Sequence, residues 1–223
     1  MLRREATMSK HPTLWTCLGQ IPDPRKRSGR RYSLQSILAL IIAGLLCGKT
    51  SLRAIARWGS RLQKEHLELI NIKRKKAPSQ TAMHYLLARL DPKDLDAALQ
   101  TWAQGIPSHG KKHISIDGKS LKASATNEYP ALHLLSAYCH NTRAVWTQSE
   151  VDIKRNEFVC AEDMLFRLPV SGTIISGDAM FCQRTLSEKI TKDKGDYIFI
   201  VKDNQPSLKE EIRAAFDGTL PPK

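Results

Sequence analysis

The period of the apolar residues changes once along this chain, at a cluster of turn formers, Gly105-Ile-Pro-Ser-His-Gly110. Before it, apolar residues recur at helical spacing. After it, short β-branched runs alternate with helical segments. Glycine and proline at this density interrupt either period, so the cluster separates two differently built parts. The class expected is α+β, with a helical part first and a layered α/β part second.

In the first part, residues 1–14 are polar and read as a flexible N-terminus. Ser33 as N-cap and Gly48 as a stop bracket a helix. Its apolar run, Ile37 to Cys47, is shorter than the roughly 20 residues that span a bilayer. It also begins too far from Met1 for an ordinary signal peptide, so no membrane partner is expected. Ser51-Leu-Arg-Ala-Ile-Ala-Arg-Trp58 continues as a helix with Leu52, Ile55 and Ala56 inward and Arg53 and Arg57 on another side. Further helices are expected over 61–70, 80–90 and 92–104, the last opened by Pro92 in its first turn. Helices 51–58 and 80–90 suggest a helix-turn-helix-like reader, although neither spacing nor turn is diagnostic.

Charge is unevenly spread. Residues 1–112 carry 21 Lys and Arg against 7 acids, and residues 113–223 carry 14 against 15, within a net charge of +13. A basic front on a near-neutral back points to a module that binds a polyanion. The runs Arg25-Lys26-Arg27, Arg30-Arg31 and Lys73-Arg74-Lys75-Lys76 are the candidate phosphate contacts. Plain solvated loops would have the same composition. The five cysteines, Cys17, Cys47, Cys139, Cys160 and Cys182, form no CxxC pair. Odd in number and widely spaced, they argue against a disulfide framework or zinc site and for reduced thiols in the cytosol. Cys47, Cys139 and Cys160 sit in apolar runs and are expected in the core.

In the second part, strands are expected over 113–117, 131–138, 144–152, 173–178 and 196–202, and helices over 156–168, 180–194 and 206–216. The order β-β-β-α-β-α-β-α is that of a ribonuclease H-like sheet, a mixed five-stranded sheet whose first strand lies beside its fourth. Two runs, His113-Ile-Ser-Ile-Asp117 and Thr173-Ile-Ile-Ser-Gly-Asp178, then deliver a carboxylate each at or near the end of adjacent strands. Carboxylates and water suit Mg²⁺ or Mn²⁺, which points to phosphodiester chemistry. Each aspartate also has a plainer reading: Asp117-Gly as a turn pair, and Asp178 as a cap of the helix after it. Lys119 and Lys202 are strand-end cations, either surface lysines or contacts to a phosphate. Glu157 has two open readings, an approach to the site or, with Asn156, a helix start. His133 lacks a His or Cys partner at metal-site spacing and reads as a core or hydrogen-bonded residue rather than a ligand. Walker-type, GxGxxG and GxSxG motifs are absent, so nucleotide binding and acyl transfer find no support.

Asp23-Pro-Arg-Lys-Arg-Ser-Gly-Arg-Arg-Tyr32, with the apolar helix and Ser51–Trp58 after it, resembles the N-terminal region of bacterial insertion-sequence DDE transposases, in the branch of H-repeat-associated proteins. Ile116–Lys119, His133–Ala137, Lys154–Glu157, Gly177–Met180 and Val201–Pro206 resemble successive blocks of the same family. The resemblance covers about residues 15 to 215 and implies a helical DNA-binding region over 15–105 and a ribonuclease H-like catalytic domain over 111–223. It implies three acids with two Mg²⁺ ions, and Asp117 and Asp178 match the first two. The third, a glutamate in a His-Gly-Arg-Ile-Glu-like motif, has no counterpart here. Glu210 and Glu211 are the nearest stand-ins, on a helix whose inner face is marked by Leu208, Ile212 and Ala215. The expectation is therefore a C-terminally truncated, catalytically impaired transposase. It would bind double-stranded DNA at transposon ends and target, in the bacterial cytoplasm or on the nucleoid, with a homo-oligomer left open. A DNA-binding remnant without catalysis and a non-transposase Mg²⁺ nuclease are the alternatives.

Overall fold

The computed structural model describes residues 11–28, 30–126, 130–151 and 157–218. The chain forms two compact units, Met1–Gly105 and Ile106–Lys223.

The first unit is helical: α1 Leu14–Leu18, α2 Leu34–Leu46, α3 Leu52–Gly59, α4 Lys64–Leu69, α5 Gln80–Leu87 and α6 Pro92–Gln104. Short polar side chains fix the helix starts. Ser33, Ser51 and Ser79 each accept a hydrogen bond from the backbone N–H three residues on, and Asp91 accepts one from Lys93. These bonds satisfy donors that have no partner within the helix. Gly48, at φ +74°, takes the left-handed conformation that ends α2. α2 supplies much of the core, with Ile37 and Leu40 fully buried beside Ile55 of α3 and Met83 and Leu86 of α5. Each such side chain contributes about 1.5–3 kcal/mol by leaving water. Gly44 lets α3 approach α2 closely, since a Cβ there would lie 2.9 Å from Cγ1 of Ile55.

Three expectations change here. α1 was not anticipated, and its cap Thr13 and first residue Leu14 are ordered within the stretch read as flexible; residues 1–10 lie outside the described residues. Cys47 is exposed, because it follows the last turn of α2, whereas Cys17, Cys139, Cys160 and Cys182 are buried. α3 and α5 pack together but are separated by α4 and the basic loop, so they are not two helices joined by a short turn as in a helix-turn-helix.

The second unit holds β1 Lys112–Leu121, β2 Leu132–Cys139, β3 Ala144–Glu150, α7 Glu157–Leu165, β4 Thr173–Gly177, α8 Arg184–Lys192, β5 Asp196–Phe199 and α9 Pro206–Phe216. The five strands lie in the order β3-β2-β1-β4-β5. β1, β2 and β3 are antiparallel neighbours, while β4 and β5 run parallel to β1. This is the mixed ribonuclease H-like sheet, with the first strand beside the fourth. One face, carrying Ile114, Ile116, Ala137 and Ile175, is buried; the opposite face, carrying Ser115, Asp117, Tyr138 and Ser176, is half-buried or exposed. Trp146 on β3 is fully buried, and its indole N–H donates to Thr142 Oγ1 at 3.0 Å.

β5 stops at Phe199, three residues before Lys202, and α8 begins at Arg184, after a 3-10 turn over Ala179–Phe181. α9 lies where expected but buries no residue: Leu208, Ile212 and Phe216 are all exposed. Leu208 and Ile212 line an open cleft with Tyr197 and Phe199 of β5 rather than a closed core. Residues 152–156, which carry most of the Lys154–Glu157 block, lie outside the described residues.

Candidate functional site

Register places the two aspartates. The parallel ladder between β1 and β4 pairs Lys112 with Thr173 and ends at Ile116 with Gly177. Asp117 and Asp178 are the next residue on each strand, in equivalent positions just past the last pair. Asp178 keeps an extended backbone, φ −71° and ψ 175°. The two-residue alternation therefore puts Ser115 with Asp117, and Ser176 with Asp178, on one side of the sheet. A hydrogen bond of 2.9 Å between the Ser115 and Ser176 hydroxyls ties the two strands on that side.

Asp117 does not end its strand, as the sequence suggested. β1 continues to Leu121 because its antiparallel pairing with β2 runs on, from Asp117 opposite Ser136 to Leu121 opposite Leu132. Asp117 is thus held by a ladder on its β2 side and open on the side where β4 has stopped. A turn beginning at Asp117-Gly118 is excluded by the same ladder. Asp178 precedes the 3-10 turn, but its side chain makes no capping hydrogen bond there. It accepts instead from Lys202 Nζ at 2.9 Å. That ammonium holds the Asp178 carboxyl below its ordinary range, so it is ionised at neutral pH.

The loop after β5 is pinned by its own amides. Asn204 Nδ2 donates to the Ala179 carbonyl at 2.7 Å, and Gln205 Nε2 donates to the Cys182 carbonyl at 3.0 Å. The Val201–Pro206 block thereby fastens Lys202 beside Asp178. Asp178, Met180, Lys202, Asp203 and Asn204 line an open cleft of about 740 Å³. Asn204 and Gln205 were not singled out in the sequence as positioning residues, although their block was. Lys119 lies on β1, exposed, two residues beyond Asp117. His133 accepts or donates at Nδ1 with Ser120 Oγ, 2.8 Å away. Glu210 and Glu211 are both exposed on α9.

A polar network not anticipated from sequence lies on the same face, around Ser115 and Ser176. His113 Nε2 lies 2.7 Å from Ser176 Oγ, and His140 Nε2 lies 2.6 Å from Ser115 Oγ. The two imidazoles stack at 4.3 Å. Burial first, then the neighbouring His140, push the His113 pKa down. A histidine whose folded pKa is depressed contributes its full stability above the unfolded value, about 6.5, and loses it as pH falls below that. The second unit is therefore expected to unfold more readily in urea at pH 5.5 than at pH 8, with His113→Gln narrowing the difference. An unchanged difference in that variant would assign the acid sensitivity to other groups.

Two carboxylates presented side by side are hard oxygen donors, and both are exposed, which fits a divalent ion of the Mg²⁺ type. No group of three or more His, Cys, Asp or Glu that could hold a metal forms among the described residues.

In the first unit, the basic runs divide. Arg25 makes a bidentate pair with Asp23 and also donates to the Tyr32 carbonyl at 2.9 Å. Arg30 donates to the carbonyls of Arg25 and Asp23. These two arginines close their own loop. Lys26, Arg27, Arg31 and Lys73 to Lys76 are exposed. Tyr32 Oη donates to the Lys76 carbonyl at 2.7 Å, which fastens the two basic loops together. Among the described residues no helix is long and apolar enough to cross a membrane.

Comparison with known proteins agrees with this layout. A family model described as DDE_Tnp_1-associated matches residues 15–103, and one described as Transposase DDE domain matches residues 108–220. The chain is 32% identical over 200 residues to an "Uncharacterized protein in dhlA 3'region" of Xanthobacter autotrophicus, covering 86% of this chain and 66% of that protein. It is 30% identical to the "H repeat-associated putative transposase YhhI" of Escherichia coli (strain K12), covering 88% of this chain and 52% of that protein. The chain thus spans between half and two thirds of the length of these relatives. A slighter likeness, TM-score 0.43 at 11% identity over 88% of this chain and 48% of the other, is to a piggyBac transposase in a synaptic complex with hairpin DNA; it bears no weight here. The tandem match of both family models, in the order of the two units, shows that the chain belongs to the DDE transposase family, in its H-repeat-associated branch.

Proposed function

We propose that this chain acts in the DNA strand cleavage and transfer of insertion-sequence transposition, with Asp117 and Asp178 as ligands of a divalent metal ion, Mg²⁺ or Mn²⁺. The observation that carries the reading is the register: both carboxylates follow directly on the last pair of one parallel ladder. When bound, such an ion supplies Lewis acidity at a phosphate oxygen. The chain's own residues present two ionisable oxygen donors on one side of the sheet, with Lys119 and Lys202 beside them as cations for the DNA phosphates. The exposed basic loops of the first unit hold double-stranded DNA, at transposon ends and target, by displacing its counterions. The site of action is the bacterial cytoplasm, on the nucleoid when DNA is bound, with self-association open to test.

Mn²⁺ binding to the full chain, followed by the loss of the free-ion paramagnetic resonance signal, tests the site. Asp117→Asn and Asp178→Asn are each expected to weaken binding by at least about tenfold, since removing even a residue that only supports a metal ligand costs about 10–100-fold. Affinity that survives both substitutions would remove the two aspartates from any metal site.

A further inference from the structure

The ammonium of Lys202 stands against the carboxylate that the proposed site would offer to an ion. We propose that Lys202 is a place-holder for the divalent metal: it neutralises Asp178 while the ion is absent, is displaced when the ion binds, and is then free to take a DNA phosphate. The inference rests on reading Asp117 and Asp178 as metal ligands, and adds how that site is kept ready.

Two like-charged carboxylates side by side repel each other. A cation against one of them relieves the repulsion. Lys202 Nζ does so at 2.9 Å from Asp178 Oδ1, across 24 residues of sequence. Both side chains of the pair are more than half exposed, at 57% and 56%. Exposed pairs of this kind are weak, so the contact is easily exchanged. An ammonium has three donors and no acceptor, so it cannot coordinate an arriving cation, and the two positive charges compete for the same carboxylate. Its long flexible stem lets it leave without moving the backbone.

The loop that carries it stays where it is. Asn204 and Gln205 hold the Ala179 and Cys182 carbonyls, and Ile200 N–H donates to the Gly177 carbonyl at 3.3 Å. Lys202 is therefore not needed to fasten the loop. A residue whose role was to fasten it would, on removal, let Asp178 wander and weaken metal binding. A place-holder does the opposite, because it competes with the ion.

The experiment compares Mn²⁺ affinity of the full chain with Lys202→Gln, Lys202→Met and Asp178→Asn, by the free-ion paramagnetic resonance signal. Both lysine variants are expected to bind Mn²⁺ roughly three- to tenfold tighter than wild type, the scale set by loss of one exposed competing charge. If Asp178→Asn weakens binding while either lysine variant binds no tighter than wild type, the place-holder role is overturned and the metal site stands. If Asp178→Asn leaves binding unchanged, the site and the place-holder fall together.

Discussion

Replacing Lys73, Arg74, Lys75 and Lys76 by glutamine is expected to weaken binding to duplex DNA about a thousandfold near 0.1 M salt, and to lower the slope of log affinity against log salt by about 3.6. Four neutralised cations release four fewer counterions, and each phosphate contact contributes about 0.9 to that slope. The four side chains are all exposed, and no acid interrupts the run. Tyr32 keeps the neighbouring loop, with Lys26, Arg27 and Arg31, alongside through the Lys76 carbonyl. That hydrogen bond uses backbone and survives the substitutions, so the variant tests charge rather than shape. Arg25 and Arg30 make poor first targets, because their guanidinium groups close the loop on Asp23 and nearby carbonyls. Fluorescence anisotropy of a labelled duplex over a salt series reads both numbers. A variant with wild-type affinity and slope would show that this loop faces water and not DNA.

The start of α2 could be read in advance because the signal is local, Ser33 standing three residues from the N–H it satisfies; α4 and α8 have no side-chain cap and begin at Lys64 and Arg184, later than expected. α1 escaped because a five-residue helix has too few turns to show a period, and it is held by tertiary contact, with Gln35 Nε2 donating to the Trp15 carbonyl. Strand order followed from the alternation of runs, and with it the adjacency of Asp117 and Asp178. Strand ends did not, because β1 is lengthened by β2 rather than by its own composition. The same limit hid the His113, Ser115, His140 and Ser176 network, whose members come from β1, β4 and the end of β2. Each is unremarkable along the chain, and only register brings them together. The amphipathic pattern of α9 correctly gave a helix but not a buried one, since periodicity marks an apolar face without saying what covers it. A free-standing Mg²⁺ nuclease loses its support through the first unit, which matches the transposase-associated family model rather than an unrelated domain.

The junction between sheet and site should be the most sensitive point of the second unit. Gly177 is the last residue of β4 and the one before Asp178. A Cβ there would meet Phe181 Cδ2 at 2.8 Å and its Cβ and Cγ at 3.2 Å. Phe181 is 1% exposed, in the turn that packs against α7, so its ring has nowhere to swing without opening the core. Gly177→Ala should therefore destabilise the second unit by about 1–3 kcal/mol through overpacking. Phe181→Ala should cost about 3–5 kcal/mol, the lost burial of a phenyl ring plus the cavity it leaves. The double variant should be less damaged than the sum of the two, by about 0.5–3 kcal/mol, because the cavity accepts the new methyl group. Hydrogen exchange at the β1 and β4 amides measures these differences within the second unit, independently of how the helical unit unfolds. Asp178 lies between the two substituted positions in the chain, so Gly177→Ala should also lower Mn²⁺ affinity, and Phe181→Ala added to it should restore part of the loss. Strict additivity of the two stabilities would mean that the turn yields without resistance, and that the sheet does not fix where Asp178 sits.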